Sequence, residues 1–375
     1  MCFYAEPVGK RMDAAGRRPL MSSLWAPPVL GIAATSVRLA ELPTTTYRSG
    51  DLRRVTLPLS MTNLANRAAG ISRDRRQWSL PRIVAVTAAA LTAGLLAWTG
   101  VVGTQSVRAA EQVLAAAAQR SGHRFILGWR LRRWPRPTLA GVDLYVEPGV
   151  GAPDIRAVVR ALRNGAPRVA TDFGLTGHAP WPVVLVSRTT MAAQLHVAPN
   201  AAPLGYYQGG VVWLLAPSAF LPPGPASSRL YGRQGPVVHE LTHEADSVVS
   251  GGTVPRWFDE GVAQYEDWRL TGYVWVQPGD AFEQTVYTWG QLNGRFGALP
   301  NQALAYRQAL AATAAICRRG PGTCVRVLQR LRAGIGISAA IRSVGGSSLL
   351  GRLRDGAFWV AGSGSSLLGP AGPPP

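Results

Sequence analysis

The chain has 375 residues, of which 47% are apolar and 16% charged, so it can bury a sizeable core and is not globally disordered. Its net charge of +19 comes almost wholly from arginine. The chain carries no helix-turn-helix, zinc-finger or RNA-recognition signature, so we expect no nucleic-acid partner. Arginine used in place of lysine would explain this charge without any function; otherwise the charge favours an anionic membrane surface as the partner.

The first part of the chain, residues 1–81, contains scattered proline, glycine and arginine without a sustained period. This composition predicts a disordered, basic, cytoplasmic segment. The alternative is a start codon placed too early, with Met61 as the true start.

Residues 82–107 contain an uncharged run of 25 residues, from Ile83 to Val107. Because about 20 apolar residues span a bilayer as a helix, the run predicts a single transmembrane signal anchor. Arginines before the run predict that this end stays in the cytoplasm and that the rest of the chain faces outward, although further arginines after the run reduce the asymmetry. A buried helix of a soluble protein and a signal peptide that is cleaved near Gly103 are the alternatives.

The next residues, 108–141, are predicted to form a basic and aromatic linker. Within it, Ala109–Arg120 has a helical pattern, and Phe125–Arg136 interleaves two tryptophans with four arginines. The second stretch is interpreted either as an exposed linker or as a strip that lies on anionic headgroups.

A globular domain is predicted for residues 142–360, followed by a flexible glycine-, serine- and proline-rich tail at 361–375. One alternating segment and two apolar runs predict three strands, and one apolar face predicts a helix that Gly165 and Pro167 interrupt. The predicted strands are Val142–Glu147, Pro182–Val186 and Val211–Leu215; the predicted helix is Asp154–Asn164, and a mostly helical tail follows at Gln302–Ala357.

Two cysteines, Cys317 and Cys324, flank the turn-like segment RRGPGT. If the domain is exported it meets an oxidising environment, where a short disulfide loop forms readily. The sequence therefore predicts a disulfide between them, with two free thiols as the alternative.

A candidate metal site begins in the segment GPVVHELTHEADSVV, which Pro236 opens as a helix. His239 and His243 are four residues apart, so they lie one turn above each other on one helix face. Two imidazoles in this arrangement can bind one zinc ion, and Glu240 between them is placed to take a proton from a water molecule at the metal. Chance would produce this motif about 0.002 times in a chain of this composition, so the match is specific.

A third ligand is predicted from the segment PRWFDEGVAQYED, in which Glu260 comes seventeen residues after His243. Catalytic zinc requires three protein ligands and an open position. The segment has an apolar helix face, and Gly261 is expected to let this helix approach the histidine helix closely. Glu260 is therefore the predicted third ligand; the alternative is an ordinary surface acid.

These two motifs together, HExxH and then Trp-Phe-x-Glu-Gly-x-Ala-x-Tyr, resemble the peptidase MA-like zinc metallopeptidases, or gluzincins. The resemblance implies an α+β fold with a small mixed sheet over the HExxH helix and a helical C-terminal part, here with one N-terminal transmembrane helix. It implies that His239, His243 and Glu260 bind zinc and that Glu240 is the general base. The sequence spacing between His243 and Glu260 is somewhat shorter than in the thermolysin-like and aminopeptidase groups, so neither subfamily is implied.

The resemblance also directs attention to two features around the metal, and the residues near the motifs suggest a third. It implies that Val211–Leu215 is the edge strand above the zinc, where a peptide could pair, although this apolar strand suits a buried core equally well. Tyr306 is the expected donor to the oxyanion, with Tyr287 as a rival and simple packing as the alternative for either. Asp259 and Asp246 are candidates to orient the histidines, or else plain surface acids.

The sequence thus predicts a membrane-anchored zinc metallopeptidase that cleaves a peptide or protein substrate outside the cytoplasm. One rival function is a catalytically silent zinc-binding membrane protein that acts as an interaction module. The other is a basic surface binder in which charge itself is the function.

Overall fold

The computed structural model describes residues 104–275, 286–317 and 320–355. The predicted N-terminal segment, nearly all of the predicted membrane span at 82–107 and the tail at 361–375 lie outside these residues. In the described ranges, every helix is too short or too polar to cross a bilayer.

The described residues form a mixed α+β structure in which helices predominate around one small sheet. The α-helices are α1 (Thr104–Arg130), α2 (Ala152–Asp172), α3 (Arg188–Leu195), α4 (Ser227–Gln234), α5 (Val237–Ser250), α6 (Arg256–Thr271), α7 (Trp289–Arg295), α8 (Gln302–Ile316), α9 (Pro321–Arg332) and α10 (Ile337–Arg354). The strands are β1 (Thr138–Leu139), β2 (Val142–Val146), β3 (Trp181–Val186), β4 (Gly205–Gln208) and β5 (Val211–Leu215), and short 3-10 helices cover Pro199–Ala201, Pro217–Ala219 and Phe296–Ala298.

The sheet has the strand order β1-β2-β3-β5-β4. Its centre is parallel: β3 pairs in parallel with β2 and with β5, and the antiparallel strands β1 and β4 form the two edges. Every residue of β3 and of β5 is buried, as expected for central strands of a parallel sheet that is covered on both faces.

The edge strand is therefore not the predicted one. Val211–Leu215 is flanked on both sides, by β3 and by β4, so its interpretation as an edge is wrong and its interpretation as core is confirmed. The glycine pair Gly209 and Gly210, with φ of 57° and 86°, turns the chain back so that Gly205–Gln208 covers the outer side of this strand. The edge on this side of the sheet is formed by β4.

The predicted helix Asp154–Asn164 is longer than expected, because α2 continues through Gly165 and Pro167 to its end at residue 172. A proline inside a helix removes one backbone hydrogen bond. That loss is offset by burial of the apolar face beyond it, including Val169, which is fully buried. Gly165 has a packing role instead: a Cβ atom there would lie 3.2 Å from Cγ2 of Val238 on α5.

The first helix is also longer than predicted, since α1 ends at residue 130 rather than at Arg120. It packs along α5. Arg120 donates a hydrogen bond from Nη1 to the carbonyl oxygen of Ser247 at 3.2 Å, and Arg124 forms an ion pair with the buried carboxylate of Glu244. These contacts fix the orientation of α1 on the domain.

The helix that carries the third predicted ligand, α6, lies between α5 and α8. A Cβ atom on Gly261 would come within 2.2 Å of Oγ1 of Thr313 and 2.7 Å of the carbonyl oxygen of Ala309. The expectation that this glycine serves the approach to the histidine helix is therefore wrong. It allows α8 to approach α6, and this brings Tyr306 near the site.

Candidate metal centre

Two histidines on α5 form one side of the site. His239 and His243 lie one turn apart, and their ring centroids are 4.8 Å from each other. Most polar residues of this helix are buried along with its apolar ones. The two histidines are only 1% and 5% exposed. Imidazoles are seldom removed from water to this extent without a partner, so the arrangement calls for a charged or metal partner.

The third predicted ligand reaches the same point from α6. Oε2 of Glu260 lies 3.5 Å from Nε2 of His239 and 3.6 Å from Nε2 of His243. Ligand atoms held about 2.0–2.1 Å from a tetrahedral metal ion are separated from one another by about 3.4 Å. The two contacts with Glu260 match the spacing that one metal ion requires, and the ligand atoms of all three side chains lie within 4.8 Å of one another, so this group could hold a metal ion.

The two ring nitrogens of His239 are consistent with a bound metal ion. Among the described residues, neither of its ring nitrogens has a hydrogen-bond partner, and the contact with Glu260 is too long for a good hydrogen bond. Burial lowers the pKa of His239, so the ring is held in the neutral form that binds metal. A metal ion would satisfy a buried nitrogen that otherwise costs free energy.

The other ring is oriented by the carboxylate of the residue before the third ligand. Nδ1 of His243 lies 3.0 Å from Oδ1 of Asp259, which leaves Nε2 directed toward Glu260. Burial lowers the pKa of His243, but Asp259 and Glu260 outweigh this effect and raise it well above its ordinary value. Asp259 thus takes one of the two orienting positions that the sequence suggested.

The second suggested orienting residue, Asp246, lies behind this pair. It is fully buried, and burial together with the nearby carboxylate of Asp259 raises its pKa well above the ordinary value. Asp246 is therefore not a surface acid. Burial and the nearby carboxylate of Asp259 both favour the protonated form of Asp246.

The far oxygen of the third ligand is held from α8. The hydroxyl of Tyr306 donates a hydrogen bond to Oε1 of Glu260 at 3.0 Å, and Nε of Arg256 lies 3.7 Å from the same oxygen. The rival, Tyr287, lies elsewhere: its hydroxyl accepts a hydrogen bond from the backbone nitrogen of Asn301 at 2.8 Å. Of the two tyrosines, the structure brings only Tyr306 into contact with a predicted ligand among the described residues.

The predicted general base, Glu240, is completely buried where α5 passes under the edge strand β4. A Cβ atom on Gly205 would lie 2.8 Å from Cγ of Glu240 and 2.8 Å from Cβ of Pro236. Only a residue without a side chain fits at this point. The strand and the base are thus in direct contact, which places the edge of the sheet beside the metal cluster.

Aromatic residues that the sequence did not indicate complete the wall of the site. The ring of Trp275 meets the ring of His239 edge-on at 5.9 Å, and its Nε1 donates a hydrogen bond to the buried Asp267. The ring of Tyr207 lies 6.5 Å from that of His243, nearly parallel. Trp275 follows the end of α6 without any periodic pattern, so the one available signal was its sequence proximity to the third ligand.

The two candidate disulfide cysteines lie away from the metal cluster. Cys317, at the end of α8, is bonded to Cys324 in the first turn of α9, with Cα atoms 5.3 Å apart. Both are fully buried, and the hydroxyl of Tyr265 on α6 donates a hydrogen bond to the carbonyl oxygen of Cys317 at 3.2 Å. The bond joins α8, which packs against α6, to α9, which packs against α5.

Comparison with known proteins returned no matching family model, no matching curated protein and no matching solved structure.

Proposed function

We propose that this chain is a zinc-dependent metallopeptidase of the gluzincin type, in which His239, His243 and Glu260 hold the metal. The observation that carries the proposal is the convergence of three buried ligand atoms from two helices, with separations of 3.5 and 3.6 Å to the shared carboxylate oxygen. Two imidazoles and one carboxylate form a donor set that suits zinc. When bound, zinc acts as a Lewis acid that lowers the pKa of water and polarises a peptide carbonyl.

Glu240 supplies the proton chemistry in this proposal. It follows the first ligand on α5 and is fully buried beside the cluster, next to the edge strand. From that position its carboxylate takes the proton of the attacking water and then delivers it to the leaving amine. A positioned general base of this kind contributes about 10²–10⁴ in rate.

The substrate is proposed to be an extended peptide that pairs with β4. This strand is one of the two antiparallel edges of the sheet, and it lies directly over Glu240 at Gly205. A peptide added to a sheet edge gains backbone hydrogen bonds whatever its sequence. Tyr207 on this strand and Trp275 after α6 supply aromatic surfaces near the two histidines. These features support peptide hydrolysis over a purely structural metal site.

The membrane anchor and the location outside the cytoplasm remain part of the proposal. They depend on the uncharged run at 83–107 and on the bonded pair Cys317 and Cys324, which suits an oxidising compartment.

The test compares the full chain with Glu240→Gln and His239→Ala, measuring bound zinc by elemental analysis and hydrolysis of a mixed peptide pool. We expect Glu240→Gln to keep its zinc and to lose at least about 100-fold in rate. His239→Ala should lose both zinc and activity. Asp143→Asn, an exposed change on β2, is the matched control and should retain both.

Two outcomes would contradict the proposal. A wild-type chain that binds no zinc removes the metal site itself. A chain that binds zinc but cleaves no peptide, with Glu240→Gln behaving identically, would favour the silent zinc-binding module.

A further inference from the structure

The helix α1 presents an apolar face to solvent, and this face has no part in the proposed peptidase chemistry. The described residues include four exposed large hydrophobic side chains, and all four lie on this one helix. They are Leu114, Phe125, Ile126 and Trp129, with exposed fractions between 50% and 63%.

The four side chains share one side of the helix. At about 100° per residue they fall within an arc of about 120°. The smaller residues on the same arc, Ala115, Ala118 and Gly122, carry no charge, and neither does Ser121, which lies about 20° outside it. From Leu114 to Trp129 the outer face of α1 is therefore uncharged along its length.

The charged residues of this stretch point the other way. Arg120 and Arg124 lie on the inner face, where they bind Ser247 and Glu244 of α5. Apolar residues such as Leu127 also face inward, as in any packed helix, but the outer face of a helix on a water-exposed surface normally carries charged residues. The pattern of α1 indicates that its outer face meets an apolar medium.

Four arginines flank the end of this face. Arg130, Arg132, Arg133 and Arg136 are all exposed, and the guanidinium of Arg132 lies 5.0 Å from the ring centroid of Trp129. Between Glu111 and Asp143 the sequence contains no acidic residue. Glu111 lies on the same side of the helix, one turn before Leu114, so the acidic end of the strip is its N-terminal end and the basic end is its C-terminal end. An apolar strip that ends in arginines is complementary to acyl chains beneath anionic phosphates, where tryptophan and arginine both sit favourably.

We infer that the outer face of α1 lies in the plane of an anionic lipid bilayer, with Leu114, Phe125 and Trp129 at the headgroup boundary and the four arginines on lipid phosphates. The position of the helix along the chain supports this occupant over a second protein, because α1 begins where the uncharged run 83–107 ends. Arg120 and Arg124 fix α1 to α5, the helix that carries His239 and His243. A lipid surface that binds α1 therefore also holds α5 in one orientation.

The test places a polarity-sensitive fluorophore on the outer face of the full chain, in a Cys2→Ser background, at Ser121→Cys or Ala118→Cys. Both changes keep all four large apolar side chains, and the buried, bonded Cys317 and Cys324 are not labelled. The labelled chains are reconstituted in vesicles of phosphatidylcholine alone or mixed equally with phosphatidylglycerol. Arg160→Cys, exposed on α2, is the control position.

In the anionic vesicles we expect a blue shift of emission at residues 118 and 121, quenching by lipids that carry a nitroxide near the headgroup, and neither effect at residue 160. Replacing Arg132 and Arg133 by glutamine should lower the docking equilibrium by about fivefold per arginine.

Three results would overturn the inference. The first is identical spectra at residues 121 and 160 in anionic vesicles. The second is an equal shift in neutral and anionic vesicles, which would remove the role of the arginines. The third is a shift that disappears when the protein is diluted tenfold in the same lipid, because that result would identify a second copy of the chain as the occupant.

Discussion

The imidazole of His243 is held between two consecutive residues of α6: Nδ1 lies 3.0 Å from Oδ1 of Asp259, and Nε2 lies 3.6 Å from Oε2 of Glu260. Successive residues on a helix point about 100° apart, so one carboxylate reaches each ring nitrogen. In the proposed metal site, the dipeptide therefore supplies one ligand and the carboxylate that orients another. A carboxylate on the far nitrogen fixes the tautomer of a ligating histidine and raises its basicity.

We expect Asp259→Asn to weaken metal affinity by about 10–100-fold, because the amide cannot reproduce the charge that holds Nδ1 of His243. The measurement is competition for zinc with a calibrated chelator at fixed pH. Asp143→Asn is the control, since this aspartate is exposed on β2. Unchanged affinity in the Asp259 variant would show that the contact does not orient the ring.

The role of Tyr306 follows from its contact with Oε1 of Glu260 at 3.0 Å. If the hydroxyl serves mainly to hold this ligand, Tyr306→Phe should lower metal affinity by about tenfold or more. A tyrosine that stabilises an oxyanion would instead lower kcat by about 10²–10³ and leave metal affinity unchanged. We expect the loss of affinity, measured by the same chelator competition alongside kcat and KM.

Tyr287→Phe is the matched control for this experiment. Its hydroxyl accepts a hydrogen bond from the backbone of Asn301 and has no contact with a predicted ligand in the part of the chain that the structure describes. Normal metal affinity with a reduced kcat in Tyr306→Phe would restore the oxyanion role that the sequence suggested.

The histidine pair of the candidate metal site could be predicted from sequence because its geometry is set within one helix. The separation of His239 and His243 by four residues places both on one helix face whatever the surrounding fold is. The prediction of Glu260 required a second motif, PRWFDEGVAQYED, and Asp259 is part of that same motif. Trp275 could not be found in this way, because its contact with His239 depends on how the chain turns after α6.

The order of strands in the sheet also depends on contacts that local sequence patterns do not reveal. The strand at Val211–Leu215 was predicted from its apolar run, but its place in the sheet was left open. That place depends on the pairing of Gly205–Gln208 with it across the tight turn at residues 209–210, and the short strand Gly205–Gln208 has mixed polarity and no strong pattern of its own. The helix α2 extends beyond Pro167 because tertiary packing outweighs a local preference.

The contact between Gly205 and Glu240 predicts a variant that separates metal binding from catalysis. A methyl group in Gly205→Ala would lie 2.8 Å from Cγ of Glu240, so the carboxylate or the edge strand must shift. Misplacement of a reacting group by about 1 Å can cost roughly 100-fold in rate. We expect kcat/KM to fall by that order while zinc content stays unchanged.

The control is Gly232→Ala on α4, where a Cβ atom meets nothing within 4 Å. It should leave both zinc content and peptide hydrolysis at the wild-type level. Full activity in Gly205→Ala would show that the proton-transfer group tolerates movement of the edge strand, and would count against the proposed role of Glu240.

A cluster of two carboxylates around one guanidinium lies on the opposite end of α6. Arg269 forms ion pairs with both Glu266 and Asp172. Burial raises the pKa of Glu266 to about 7, with the charge of Asp172 adding to the effect and Arg269 opposing it. One cation thus does not compensate for two acids in a buried position, and Glu266 binds a proton more tightly in the folded chain than in the unfolded one.

The sign of the resulting pH dependence follows from proton linkage. Between about pH 4.5 and 7 the folded state binds more protons at Glu266 than the unfolded state does, so the free energy of unfolding falls as the pH rises through this window. The contribution of this group is complete below about pH 4.5 and is lost above about pH 7, and it amounts to roughly 3 kcal/mol at most. We expect Glu266→Gln, which stays neutral, to match wild type at pH 5 and to exceed it in stability at pH 8. Thermal unfolding followed by circular dichroism at both pH values measures the difference, and parallel profiles for the two chains would show that Glu266 is ionised in the folded state.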